Sequence, residues 1–295
     1  MKNRWKFRNA LVLAIITTTI CIGQSPATPS GIDAALQAKA SAGDPDAQFR
    51  VGVQYELGAR VTKDPAQAAV WYRKAADHGF AQAQHSLGVL YELGNGIPAD
   101  PATAALWYRK AAGQGFAPAQ FSLGLCYAHG KGVPQDYGQA IAWYEKAAKQ
   151  NNSDAMLNLA FLYHNGKGVP KDEARSFGLV RQAAEAGSAD AQFQLGMAYY
   201  QGEEGLQQDN AMARQWLHRS AEQGNAAAQF NYAMLLKAEP AKVYFWLSIA
   251  APHLAGQTGA TTTELRTDAA AQLTSVQKAE IDQQVKDWRP VEEQP

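Results

Sequence analysis

The stretch FAPAQFSLGLCYAHGKGVPQDYGQAIAWYEKAAKQ, residues 116–150, decides the fold. Ala119, Leu123 and Tyr127 recur every four residues and so share one face of a helix. Gly130 suits a left-handed C-cap, and Gly130-Lys131-Gly132-Val133-Pro134 reads as a loop. Asp136 offers an N-cap carboxylate to a second helix. On that helix Ala140, Trp143, Tyr144, Ala147 and Ala148 keep spacings of three, four, seven and eight. The segment predicts two antiparallel helices joined by a short glycine loop.

Outward from it, the same residues return every 36 positions. Alanine recurs at Ala47, Ala83, Ala119, Ala155 and Ala191, mostly followed by glutamine, and a sixth copy, Ala228-Gln229, comes one residue late because 202–209 carries an insertion. Gly58, Gly94, Gly130, Gly166 and Gly202 form a second series, Asp64, Asp100, Asp136 and Asp172 a third, and Trp71, Trp107 and Trp143 a fourth, which Leu179 interrupts. A fixed period of this length specifies stacked supersecondary units rather than one closed core. Gly52, Gly88, Gly124 and Gly196 lie inside the first helices, where glycine costs roughly 1 kcal/mol relative to alanine. Their recurrence predicts a neighbour too close for a side chain. Asp64-Pro65, Asp100-Pro101 and Glu239-Pro240 combine a capping carboxylate with a proline whose missing N–H costs nothing at a helix start.

With Phe116-Ala117-Pro118-Ala119-Gln120, Leu123-Gly124, Tyr127, Gly130-Lys131-Gly132-Val133, Asp136, Trp143-Tyr144 and Lys146-Ala147-Ala148, the third repeat resembles the Sel-one-like repeat family, relatives of the tetratricopeptide repeats. The resemblance implies an all-α, right-handed superhelical solenoid of about six helix pairs spanning 44–251, with capping helices at 31–43 and 264–289, a linker at 252–263 and a tail at 290–295. Glu264–Leu273 and Ser275–Trp288 read as two terminal helices, and Thr274 with Gln277 forms a capping box for the second. The fourth repeat departs furthest, with Ala160 for glycine and Leu179-Val180 for Trp-Tyr, and is expected to be the softest junction.

Residues 1–27 read as a secretory signal peptide, with Lys2, Arg4, Lys6 and Arg8 before the uncharged run Ala10–Ile22 and cleavage after Gly23 or Ala27. The run is short for a stable membrane span. Lipid anchoring at Cys21 is the weaker alternative, because Ile20 stands where a small residue is required. Cleavage leaves an acidic surplus of four and no Lys/Arg cluster, which argues against nucleic acid as a partner. The one cysteine then left, Cys126, has no disulfide partner. It reads either as a buried small hydrophobe or, with His129 nearby, as a reactive thiol.

Related helix-pair solenoids bind partners on the concave surface lined by first helices, and the aligned positions form three columns. Phe49, His85, Phe121, Leu157, Phe193 and Phe230 make one, which serves either packing or binding. Val53, Val89, Leu125, Phe161, Met197 and Met234 make the next, and Glu56, Glu92, Ala128, His164 and Tyr200 a polar margin. The candidate partner-binding residues are Phe121, Leu125, Phe161, His164, Met197, Tyr200 and Met234. They suit an amphipathic helix or extended peptide of another protein. The six histidines occupy different repeat positions, and no metal-ligand spacing, nucleophile elbow or phosphate loop occurs. No catalytic residue, metal or cofactor is expected. The reading is a monomeric, non-enzymatic scaffold or regulatory adaptor of the bacterial envelope, periplasmic or secreted. The alternatives are a hydrolytic or penicillin-binding envelope protein and a lipid-anchored subunit of an export complex. Family members claimed to bind penicillin staple each repeat with a cysteine pair, which this chain lacks.

Overall fold

The computed structural model describes residues 31–291; the signal-peptide reading, Cys21 included, and the end of the tail lie outside the described residues. Fifteen α-helices and no strand occur among the described residues. They are α1 (Ala34–Ser41), α2 (Pro45–Leu57), α3 (Pro65–Asp77), α4 (Ala81–Leu93), α5 (Pro101–Gly113), α6 (Ala117–His129), α7 (Tyr137–Ala148), α8 (Ser153–Asn165), α9 (Glu173–Glu185), α10 (Ala189–Gln201), α11 (Asn210–Glu222), α12 (Ala226–Leu235), α13 (Pro240–Ala250), α14 (Gly256–Ala270) and α15 (Ser275–Asp287). The packing divides between Lys146 and Ala147, within α7, into two compact halves.

In the first half, Asp64 and Asp100 accept from two backbone amides each at 3.0–3.1 Å, and Asp136 accepts from Gln139 N at 3.0 Å. The first helices are capped differently. Asp44 accepts from Ala47 N, but Phe80 and Phe116 hold the N-cap position with no side-chain hydrogen bond. Their rings lie 5.4 Å from Phe49 and 5.6 Å from His85, so apolar contact replaces the cap.

The helical glycines make way for a tyrosine on the paired helix. A Cβ on Gly52, Gly88 or Gly124 would stand 2.5–2.6 Å from the ring of Tyr72, Tyr108 or Tyr144, which are fully buried. Loop glycines join successive repeats. Gly132 has φ 70°, and a Cβ there would lie 1.9 Å from the Pro101 carbonyl oxygen, at the start of the preceding repeat's second helix. The alanine-glutamine signature also acts between repeats. Buried Gln48, Gln84 and Gln120 each donate to a carbonyl eight residues earlier, at Ala40, Ala76 and Ala112, at 3.1–3.3 Å. These carbonyls lie in the last turn of a helix, where each also accepts the N–H of the glycine three residues on. At the start, Ile32 and Leu36 pack, as Trp71 does, against Ala40, Ala47 and Val51, so α1 covers the open side of the first repeat.

In the second half, Gln192 and Gln229 repeat the glutamine bond to Ala184 O and Ala221 O, while Met156 occupies that position in the fourth repeat. Ala160 and Val180, at the glycine and tyrosine positions of this repeat, are both buried in one core. Ser176 Oγ donates to Ala160 O at 2.9 Å across the same contact. The tryptophan column is different in kind. Lys74, Lys110 and Lys146 stand 3.8–4.0 Å over Trp71, Trp107 and Trp143, and Arg219 4.9 Å over Trp216. The fourth repeat replaces both members, with Leu179 and Gln182. The fourth repeat therefore lacks this cation–π pair, and Leu179 packs against the core around Phe177 and Val180 instead.

The stretch 252–263 is no linker, because α14 begins at Gly256, eight residues before the expected start at Glu264. Thr262 is buried, and the hydroxyls of Thr262, Thr263 and Thr267 donate to carbonyls four residues back at 2.7–3.0 Å, so the hydroxyls are satisfied within the helix. The capping box at Thr274 is formed, and Tyr244 Oη donates to Asp282 Oδ1 at 2.7 Å, fixing α15 to α13. Pro240 opens α13 at its first position, but Glu239 makes no side-chain cap and pairs with Lys242 instead.

Candidate functional site

In the first half, the first-helix column is largely consumed by the core. His85 and Phe121 are buried, and Phe49, His85 and Phe121 lie 5.4–5.9 Å from the tyrosine ring of their own repeat. Leu125, Val53 and Val89 are half-buried. Glu56 and Glu92 do not form a free polar margin. Glu56 accepts from the Tyr72 hydroxyl and Glu92 from the Tyr108 hydroxyl, the latter at 2.7 Å, because a buried phenol requires an acceptor. Lys131 Nζ sits 3.4 Å from Glu92. Burial first, then the carboxylates, push both tyrosines far above their ordinary pKa. In the third repeat Ala128 replaces the glutamate, and the buried Tyr144 hydroxyl has no hydrogen-bond partner. The coupling was legible as glutamate sixteen residues before tyrosine at Glu56/Tyr72 and Glu92/Tyr108, broken at Ala128/Tyr144.

Cys126 is buried, and burial pushes its thiol up to about 12. It stays protonated at neutral pH and behaves as a small core hydrophobe rather than a nucleophile. Among the described residues no three histidine, cysteine or carboxylate side chains gather as a metal-ligand set.

In the second half, Phe161 and His164 lie on α8, Met197 and Tyr200 on α10, and Met234 on α12. Phe161, Met197 and Met234 are half-buried, and Tyr200 is 41% exposed. Met197 and Met234 pack, with Phe193 and Phe230, against the core of the last repeats. Lys167 Nζ lies 5.2 Å over the Phe161 ring and Arg175 4.5 Å over Tyr163. His164 Nδ1 stands 2.7 Å from Glu173 Oε2, and Lys171 Nζ 2.6 Å from Glu173 Oε1. The Lys171 hydrogen bond, followed by His164, holds the Glu173 carboxyl below its usual value, while burial and the charge of Glu173 raise that of Glu204. The result is a partly exposed apolar stripe beside a charged margin of both signs.

A Sel1 repeat model matches five consecutive segments, 45–80, 81–116, 117–152, 153–188 and 189–225. The pair α12–α13 lies beyond them. The chain is similar to the crystal structure of a Sel1 repeat protein from Oxalobacter formigenes, with 34% identity over 72% of this chain and 89% of that one and a TM-score of 0.67. It is also similar to a protective antigen present in uropathogenic Escherichia coli strains, described as displaying an SLR fold, with 33% identity over 83% of this chain and a TM-score of 0.65. The match spans 58% of the length of that antigen. No curated protein matches the chain. Among the described residues no helix is long and apolar enough to cross a membrane. Sel1 repeat proteins are generally protein-interaction scaffolds and are typically non-catalytic. With its helix pairs, glycine loops and five matched segments, this chain belongs to the Sel1 repeat family.

Proposed function

We propose that the chain is a monomeric, non-enzymatic adaptor of the bacterial envelope whose second half binds a peptide or helix of another protein. The observation that carries this reading is the stripe Phe161, Met197 and Met234. It puts bulky, partly exposed apolar groups where the first repeats have Val53 and Val89. Flexible methionines beside an aromatic adapt to a partner's apolar face. Tyr200 offers a ring with a polar tip, and His164 with Glu173 and Lys171 gives a margin able to pair with charges of either sign. In the first half Phe121 belongs to packing, and Leu125 is the remaining candidate. The basic, then uncharged, N-terminal stretch supports a periplasmic or secreted location, as does the likeness to a protein described as a protective antigen.

Crosslinked affinity capture from envelope fractions tests the proposal, comparing wild type with the Phe161→Glu, Met197→Glu double variant after circular dichroism shows equal helicity. A protein held by wild type and lost from the variant is the expected result. Equal capture by both would remove the stripe as the binding face.

A further inference from the structure

The C-terminal helices line an open cleft of about 620 Å³, which does not include the stripe residues Phe161, Met197 and Met234. Its volume lies within the range of about 300–1,000 Å³ usual for small-molecule sites. Tyr232 of α12 and Trp246 of α13 form the floor, edge to face at 5.6 Å, and Phe245 stands beside Trp246 with ring centroids 5.2 Å apart. The facing wall is α15, which presents Gln277, Glu280 and Gln284 at spacings of three and four, one side of a helix. Those residues extend over about 10 Å of the helix axis.

The polar side chains that α15 gives to the cleft, Gln277, Glu280 and Gln284, are exposed. Tyr232 is 9% exposed, yet its hydroxyl makes no hydrogen bond within the described chain, and neither do the side chains of Glu280 and Gln284. Gln277 uses only its Oε1, which accepts from Thr274 N at 3.0 Å, so its NH₂ group remains. Of the basic side chains of the lining, Lys242 is paired with Glu239 and His218 Nε2 lies 3.6 Å from Glu222 Oε1. An anion would meet Glu280, and a metal ion would find a single carboxylate. A run of prolines could stack on the rings but offers no backbone N–H to Glu280. The lining asks for an uncharged ligand with an apolar face and with groups that both donate and accept, which is the chemistry of a sugar ring.

We propose that this cleft binds a short neutral saccharide, with a ring face laid on half-buried Phe245 and its hydroxyls shared among Tyr232, Gln277, Glu280 and Gln284.

Calorimetric titration of the whole chain with cellobiose, maltose and N,N′-diacetylchitobiose tests it, with a hexaproline peptide as the competing chemistry. Tyr232→Phe and Gln284→Ala each remove hydrogen-bonding atoms and leave the helices intact, as circular dichroism and the melting temperature will confirm. The expected result is saturable binding of at least one disaccharide, weakened about tenfold in each variant, the effect of one lost hydrogen bond of about 1.4 kcal/mol. Three results would overturn the proposal: no saturable binding of any disaccharide, binding equal in both variants, or binding of hexaproline alone. None of these would touch the adaptor reading, whose test changes only Phe161 and Met197.

Discussion

Replacing His85 with phenylalanine should strengthen the second repeat against acid. His85 is 4% exposed and stands in the column that holds Phe49 and Phe121 in the two neighbouring repeats. Its ring lies 5.4 Å from Tyr108 and 5.6 Å from Phe116, Nε2 is 3.1 Å from Ser122 Oγ, and the buried Nδ1 has no partner. Burial alone pushes its pKa from 6.5 down to about 4. The sign follows from proton counting. Between these values the unfolded chain holds a proton that the folded chain refuses, so stability falls as the pH drops from 6.5 and levels off below about 4. The total is roughly 3 kcal/mol at 1.36 kcal/mol per pH unit. His85→Phe removes this linkage and the unpaired Nδ1, which costs about 1–3 kcal/mol, and gives up the Ser122 bond, worth about 0.5–1.5 kcal/mol. At neutral pH the variant should match or slightly exceed wild type. A repeat array unfolds in segments, so the assay is hydrogen exchange of the α4 and α5 amides, comparing the two proteins at each pH from 7.5 to 4. The protection gap should widen by about 3 kcal/mol on acidification. A gap constant over that range would refute the argument that a neutral buried imidazole sets the acid sensitivity of this repeat.

Tyr108→Phe should destabilise by about 1.5–3 kcal/mol in urea unfolding, since it deletes a hydrogen bond to a carboxylate, whereas Tyr144→Phe removes an unpaired buried hydroxyl and should be neutral or stabilising. Gly88→Ala should cost about 1–3 kcal/mol because its Cβ would press on the Tyr108 ring at 2.6 Å, while Gly178→Ala, with open space around it inside α9, should gain up to about 1 kcal/mol in the same measurement. Leu179→Trp with Gln182→Lys should rebuild the cation–π pair of the other repeats and raise hydrogen-exchange protection of α9 by about 0.5–1 kcal/mol, with little change from either substitution alone.

The sequence by itself determined the repeat, its helix pairs and their boundaries. The physical reason is locality: an aspartate caps amides two or three residues ahead, a glycine closes the helix it follows, and the thirty-six-residue step multiplies each weak signal. The glycines within helices were legible as sites of close approach, but only the packed structure showed that a tyrosine twenty residues later fills the space at Gly52, Gly88 and Gly124, and Leu217 at Gly196. The same distance hid the role of Glu56 and Glu92, which look like groove margin in sequence and serve as acceptors for buried phenols. The threonine-rich stretch before Glu264 lacks helix propensity, and tertiary burial of Thr262 accompanies a helix that propensity did not predict. The fourth repeat looked like a defect column by column. Its Ala160 and Val180 are buried together in one core, which a one-column reading cannot see. The saccharide cleft carries no sequence signature, because Tyr232, Trp246 and Gln284 meet only when the cap helix folds back onto the last repeat. Local chemistry thus set the elements and their period, and long-range packing decided which polar groups were spent inside the protein and which remained available to a ligand.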